Sequence, residues 1–316
     1  MIRFTSVHDV PRVDALVQQA LRFKQDPWSQ ATAGARRTLG LVFMNPSLRT
    51  RISTQKAAEQ LGLNVMVMNV NGDGWALEFE DGVVMDGTKV EHVREAAAVL
   101  GTYCDIIGLR SFPGLVDRDA DYAEQVMERF IASCRVPFVS LESATRHPLQ
   151  SLADVITIAE RKRAERPKVV LTWAPHIKAL PQAVANSFAE WVLAVGHDLT
   201  IANPTGFDLD PTFTQGATIT HDQEAALEGA DFVYVKNWSS FADYGRVHPG
   251  AREWMLTPKH LKRTNDAGVM HCLPVRRDLE LAAAVLDGPS SLVLQQADNR
   301  TWAAQAVLHE LLKHTP

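Results

Sequence analysis

Cysteine is scarce in this chain, and what there is forms no pattern. Cys104, Cys134 and Cys272 are odd in number and widely spaced, and no CxxC pair occurs. Neither a disulfide framework nor a structural zinc site is therefore expected, and a reducing compartment is. Long apolar runs are missing as well: no uninterrupted segment approaches the roughly 20 residues that a membrane span needs. The opening stretch, MIRFTSVHDVPRVDALVQQA, turns polar at once and lacks the apolar core of a signal peptide. A cytoplasmic protein is expected. Positive charge is not in excess either. The 32 Lys and Arg against 37 Asp and Glu leave a net charge of -5. Nucleic acid is thus not an expected partner, and any anion must be captured by a local cluster.

What is present is the composition of a globular protein, 46% hydrophobic and 22% charged. At 316 residues the chain has room for two domains, each with its own core. Short apolar runs alternate with helical patterns. Strands are expected at Thr38–Met44, Asn64–Asn69, Cys104–Leu109, Pro137–Leu141, Lys168–Trp173, Leu199–Ala202, Asp231–Lys236, Gly268–His271 and Ser291–Leu294. Most are continuous rather than alternating, as strands covered on both faces should be. In LPQAVANSFAEWVLAVG, Val184, Phe188, Trp191, Val192 and Val195 share one helical stripe; Pro181 suits the first turn and Gly196 the stop. The expected fold class is α/β: two doubly wound parallel-sheet domains, 1–148 and 149–297, joined by helices, with a cleft between them. Ligands of such sheets bind beyond the carboxyl ends of the strands.

Four segments follow expected strands. NPSLRTR places Ser47 as an N-cap ahead of the helix LRTRISTQKAAEQLG, whose free first-turn N–H groups suit a phosphate. Arg49 and Arg51, two apart, cannot share a helix face, so a solvated basic helix start and an anion site remain alternatives. DIIGLRSFPG puts Arg110 at a second strand end, where it is a structural residue or a second anion contact. ESATRHPLQ brings Glu142, His147 and Gln150; His147 is a satisfied structural histidine or, with Gln150, a contact to a polarised carbonyl and an amide NH2. GVMHCLPVRRD carries Cys272, read as a buried thiol, as a weak Cys–His nucleophile with His271, or as part of a turn. In that last reading a cis Leu273–Pro274 peptide aims backbone carbonyls at a ligand amine.

SLRTR, HPLQ and HCLP, in that order and over nearly the whole chain, resemble the aspartate/ornithine carbamoyltransferase family. The resemblance implies a carbamoyl-phosphate domain, an amino-acid domain, a C-terminal helix over 298–316 packing back on the first domain, and a homotrimer with shared active sites. It implies that Ser47, Leu48, Arg49 and Thr50 hold the phosphate. Arg110 and His147 would contact the carbonyl, Gln150 the amide nitrogen, and the Cys272–Leu273 backbone the other side of the carbamoyl group. The family's Ser-Met-Gly loop is absent; FVYVKNWSSFADYG stands there. GDGWALEFEDGVVMDGTKVEH, TWAPHIKALPQAVANSFAEW and ADNR are similar instead to the branch acting on N-acylated ornithine. That branch implies that Trp75 reaches a neighbouring subunit's carbamoyl-phosphate site, which Arg300 also lines. Glu142, His176, Lys236, Pro274 and Arg276 would surround the acylated amino acid. It also implies a knotted second domain near KALPQA, which general topology rules disfavour.

The acetyl-type enzymes of that branch carry glutamate where this chain has Val90, in GTKVEH, and the succinyl type lacks it, typically having proline. Val90 adds no negative charge to repel a second carboxylate, and Lys236 and Arg276 could balance one. The expected reaction is transfer of the carbamoyl group to the δ-amine of N-succinylornithine in arginine biosynthesis, with Thr50, Arg110 and His147 catalytic. N-acetylornithine, free ornithine or a silent phosphate-binding paralogue are the alternatives. Nothing demands a metal, a cofactor or a covalent enzyme intermediate. Cys272→Ser separates this reading from a cysteine hydrolase: substantial activity should survive, because the backbone carbonyl stays, whereas a thiol-dependent hydrolase would lose all turnover.

Overall fold

The computed structural model describes residues 1–248 and 251–315. Its first unit comprises Met1–Pro113, Asp119–Leu149 and Arg300–Pro316; the second comprises Gly114–Arg118 and Gln150–Asn299. The strands of the first unit are β1 (Arg3–Phe4), β2 (Thr38–Phe43), β3 (Asn64–Asn69), β4 (Leu77–Glu78), β5 (Glu91–His92), β6 (Ile106–Arg110) and β7 (Phe138–Glu142). Five of them form a parallel sheet in the order β1-β7-β6-β2-β3, while β4 and β5 make a small ribbon. The continuous apolar character of β2, β6 and β7 is explained by burial: every residue of β6 and β7 is buried. Val42, Ile107, Leu109, Phe130 and Phe138 pack together on one side with Cys104 and Cys134. Both thiols are reduced, and burial pushes their pKa values up, so they act as small apolar groups.

The second unit repeats the plan with β8 (Lys168–Trp173), β9 (Asp198–Ala202), β10 (Thr218–Thr220), β11 (Phe232–Lys236) and β12 (Gly268–Met270), in the parallel order β10-β9-β8-β11-β12. Its core is aromatic. Trp173, Trp191, Trp238, Phe188 and Tyr234 are all fully buried. The Trp173 indole donates to Trp238 O at 2.8 Å and that of Trp238 to Phe207 O at 2.7 Å, so neither N–H is stranded. The helix Ala183–Ala194 is buried nearly all round, beyond the single stripe its spacing suggests. It starts after Gln182 rather than at Pro181, and Gly196 at φ 76° ends it. Just before it, the segment KALPQA is laced to the 239–240 loop. Ser239 N donates to Leu180 O at 3.0 Å, and the Gln182 amide donates to Ser239 O at 2.7 Å.

Two expectations fail. Ser291–Leu294 is not a strand: Ser291 makes one isolated bridge to Val269, and the helix Val293–Leu312 begins two residues later. A short run of three apolar residues after Ser291 fits the start of a helix as well as a strand, and periodicity cannot separate them. Ser47 is not the N-cap; the helix spans Arg49–Gln60, with Leu48 in the cap position and no side-chain cap bond. The edge strands β1 and β10 went unforeseen because neither contains an apolar run.

The helices Val93–Tyr103 and Gln125–Cys134 cross at Gly101, where an added Cβ would lie 1.9 Å from Cys134 O. The clash is with backbone, which cannot rotate away. Gly101→Ala should therefore destabilise the first unit by about 3 kcal/mol, read as a lowered urea midpoint.

Candidate active site

Parallel strands deliver their carboxyl ends to one edge, and β7, β6 and β2 are neighbours in the sheet. Glu142, Arg110 and the 44–50 segment after β2 are thus brought together although they lie far apart in sequence. The register between β6 and β7 shifts at Leu109/Arg110, so that Arg110 pairs with Glu142 rather than with Leu141. A bulge of this kind re-aims a strand-end side chain. Asn45 Oδ1 accepts from Phe112 N at 2.7 Å, fastening the turn after β2 to the turn after β6.

The resulting cluster is strongly basic. Arg110 Nη1 donates to Thr50 Oγ1 at 3.3 Å, and Arg300 Nη2 donates to the same oxygen at 2.5 Å. Arg110 also pairs with Glu142 Oε2 at 2.5 Å, and its guanidinium lies over the Phe112 ring. His147 Nε2 stands 3.4 Å from the same Glu142 oxygen, while Nδ1 is buried with no partner. Thr50, Arg110, Glu142, His147 and Arg300 are all more than nine-tenths buried. Burial first, then the like charges of Arg300, Arg110 and Arg49, hold the His147 imidazole well below the ordinary histidine value. The ring is therefore neutral at physiological pH. Two arginines on one hydroxyl, with Arg49 close enough to act on His147 and one carboxylate beside them, form a cluster suited to a dianion. Glu142, expected with the acceptor residues, lies beside Arg110 and His147.

In the second unit β8, β11 and β12 are adjacent, and their carboxyl ends carry His176, Lys236 and the 271–276 segment. Arg276 Nε donates to His176 Nε2 at 3.1 Å. Arg276 N donates to Glu280 Oε2 at 2.7 Å, and Glu280 Oε1 stands 3.6 Å from His271 Nε2. Burial works to raise the Glu280 pKa, but His271 foremost, then Lys236, buried at the end of β11, hold the carboxyl below its usual range. Leu273–Pro274 is a cis peptide, and Cys272 is half-buried. Gln150, fully buried, donates its amide to Asp154. Sequence reading missed Glu280 and Asp154. Asp154 had a signal, since it lies four residues beyond Gln150 on one helix face; Glu280 had none, because only the turn at 276–280 returns it to His271.

Trp75 and Val90 do not join either cluster. Each is exposed, with Trp75 Nε1 donating to Glu91 Oε2 at 2.9 Å. Leu48 is exposed as well. The segment between β4 and β5 hangs on Glu78, whose Oε1 accepts from Phe79 N, Glu80 N and Lys89 Nζ. Those donors, the Glu80 amide foremost, bring its pKa down to about 2.

A family model for the aspartate/ornithine carbamoyltransferase carbamoyl-P binding domain matches residues 3–160, and one for the Asp/Orn binding domain matches 181–311. The chain belongs to the aspartate/ornithine carbamoyltransferase family. Within that family it is 48% identical to an N-succinylornithine carbamoyltransferase of Bacteroides thetaiotaomicron, over 99% of both chains. It is 35% identical to an N-acetylornithine carbamoyltransferase of Xanthomonas axonopodis pv. citri, over 95% of this chain and 92% of that one. Among solved structures it is similar to an N-acetyl-L-ornithine transcarbamylase with one glutamate replaced by valine, complexed with carbamyl phosphate and N-succinyl-L-norvaline. The TM-score is 0.92 at 34% identity, covering 98% of this chain and 99% of the other.

The depressed His147 pKa fixes a pH dependence. Between that value and about 6.5 the unfolded chain binds a proton at 147 that the folded chain does not. Stability from this group is fully present above about pH 6.5 and is lost as pH falls through the folded-state value. His147→Gln should flatten the urea midpoint against pH in that window, and an unchanged slope would remove His147 as its source.

Proposed function

We propose that this chain transfers the carbamoyl group of carbamoyl phosphate to the δ-amine of N-succinyl-L-ornithine, giving N-succinyl-L-citrulline and phosphate, a step of arginine biosynthesis. The observation that carries the reaction is the buried cluster of Arg110, Arg300 and Thr50 at strand ends, beside a His147 kept neutral by its surroundings. In this reading Ser47, Leu48, Arg49 and Thr50 hold the phosphate with the first turn of the 49–60 helix, and Arg300 adds charge there. The neutral amine attacks the carbonyl carbon, forming the C–N bond and a tetrahedral intermediate. The C–O bond to phosphate then breaks and its electron pair leaves with the phosphate, which takes the amine proton. Thr50, Arg110 and His147 stabilise the oxyanion, each preorganised donor contributing roughly 3–4 kcal/mol. Gln150 and the Cys272–Leu273 backbone meet the carbamoyl amide.

Glu142 has a second role. Paired with Arg110 and His147, it holds both donors oriented before substrate arrives, in addition to the contact with the acylated amino acid that the family resemblance implies. His176, Lys236, Pro274 and Arg276 receive the acylated amino acid. Lys236 and Arg276 supply the positive charge that two carboxylates require.

The acceptor rests on Val90. A glutamate there would face the distal carboxylate of a succinyl group with like charge, and valine does not. The B. thetaiotaomicron relative bears the succinyl name, and the structurally similar acetyl enzyme holds N-succinyl-L-norvaline in a variant whose glutamate became valine. Both support the choice. Trp75, Val84 and Val90 are exposed on one segment, as groups would be that enter a second copy; we infer a homotrimer in the cytoplasm, each site completed by its neighbour. Among the described residues no helix is long and apolar enough to cross a membrane.

The test is formation of citrulline-type product from carbamoyl phosphate with N-succinylornithine, N-acetylornithine and ornithine side by side. Strong preference for the succinyl compound is expected, and Val90→Glu should move it towards the acetyl compound by about 10-fold or more. Wild-type preference for acetyl would sink the Val90 argument. No turnover with any acceptor would leave a silent paralogue.

A further inference from the structure

Asn45 has no part in the reaction above, yet its side chain spans two of the turns that carry the basic cluster of the first unit. A backbone N–H can only donate, so the Asn45 amide must turn its oxygen to Phe112 N, 2.7 Å away. Both residues joined by this bond are followed by proline, Asn45 by Pro46 and Phe112 by Pro113. A residue before proline is confined to extended backbone, so neither end of the tie drifts freely. Below the tie, strand pairing takes over: Phe43 lies opposite Arg110, and Met44 N donates to Arg110 O at 3.0 Å. Phe112 in turn meets the Arg110 side chain, its ring centroid 4.5 Å from the guanidinium carbon. Glu142 and Thr50 both meet that guanidinium at Nη1, and its buried Nε makes no hydrogen bond. Bonds at one nitrogen fix a point and not a plane. The tilt of the planar group is therefore left to the ring that lies against it.

We propose that Asn45 is a positioning residue for the transfer step. Through Phe112 it sets the plane in which Arg110 offers its N–H groups to the carbonyl oxygen as negative charge develops there. This rests on the carbamoyl-transfer reading, in which Arg110 stabilises the oxyanion. Without the Asn45 amide, Phe112 N loses its acceptor, the turn after β6 loosens, and the ring no longer holds the guanidinium at one tilt. The phosphate side feels little of this, because the first turn of the 49–60 helix and Arg300 do not hang on Phe112.

Asn45→Ala, Phe112→Leu and the double variant decide it, with kcat, KM for carbamoyl phosphate and inhibition by inorganic phosphate measured in each. In Asn45→Ala, kcat should fall roughly 10- to 100-fold, the effect of a misplaced donor. KM and the phosphate inhibition constant should stay within about threefold, as they do when the lost interaction belongs to the transition state. In the Phe112→Leu background the same substitution should lower kcat by at most about threefold more, since the ring it acts through is gone. A residue with a structural role alone would lower the urea midpoint and leave kcat of the folded enzyme unchanged, and that result overturns the inference. So does a fully additive cycle, or phosphate binding that weakens in step with kcat. Should Asn45→Ala not fold, Phe112→Leu by itself must lower kcat with phosphate inhibition unchanged; an unchanged kcat there overturns the inference. If the wild-type enzyme turns over no acceptor, the carbamoyl-transfer reading falls and this inference with it. Normal wild-type turnover with an unchanged kcat in Asn45→Ala removes this inference alone.

Discussion

Thr50 Oγ1 receives hydrogen bonds from both Arg110 and Arg300, and holding two guanidinium groups that close is the constraint on which the first unit is organised. Like charges at that separation repel, and burial strengthens the repulsion because water no longer screens it. The fold meets the cost in three ways. Glu142 pairs with Arg110, the Phe112 ring lies under the same guanidinium, and His147 stays neutral instead of adding another charge. What remains is an excess of positive charge in a confined place. A phosphate dianion would relieve it, which is the physical basis on which we propose an anion-binding site here.

The second unit solves a different problem. Here amide groups are held in direction by hydrogen bonds to buried acids. Buried carboxylates set that direction. Asp154 turns two glutamine amides, and Glu280 gathers the Arg276 amide and the His271 ring. Asp154 has two amide donors on one oxygen and Glu280 a backbone amide with a histidine ring nearby, as carboxylates removed from water require. Deleting such an acid would strand every donor aimed at it, so these residues matter out of proportion to their distance from the chemistry.

Much of this was legible from residues alone. The run at Lys168–Trp173 became a strand with those bounds, because a parallel strand covered on both faces leaves no polar interruption to blur its ends. Asn64–Asn69 did the same at the sheet edge, where asparagines close off the apolar stretch. Ser291–Leu294 was misread because its three apolar residues suit a strand and the first turn of a helix equally. SLRTR, HPLQ and HCLP, in that order, pointed to the family whose models match the chain.

Residue identity and hydrophobic pattern alone dictated two parallel-sheet units, arginines at strand ends, and the lack of a glutamate at position 90. Those are local facts. Which groups share a site was settled by three-dimensional packing. Sheet order β7-β6-β2 brought Glu142 to Arg110, the 293–312 helix returned Arg300 to Thr50 across 250 positions, and Asp154 became the common partner of Gln150 and Gln296. Such pairings depend on strand order and helix packing, which arise between segments distant in sequence, and no local pattern encodes them.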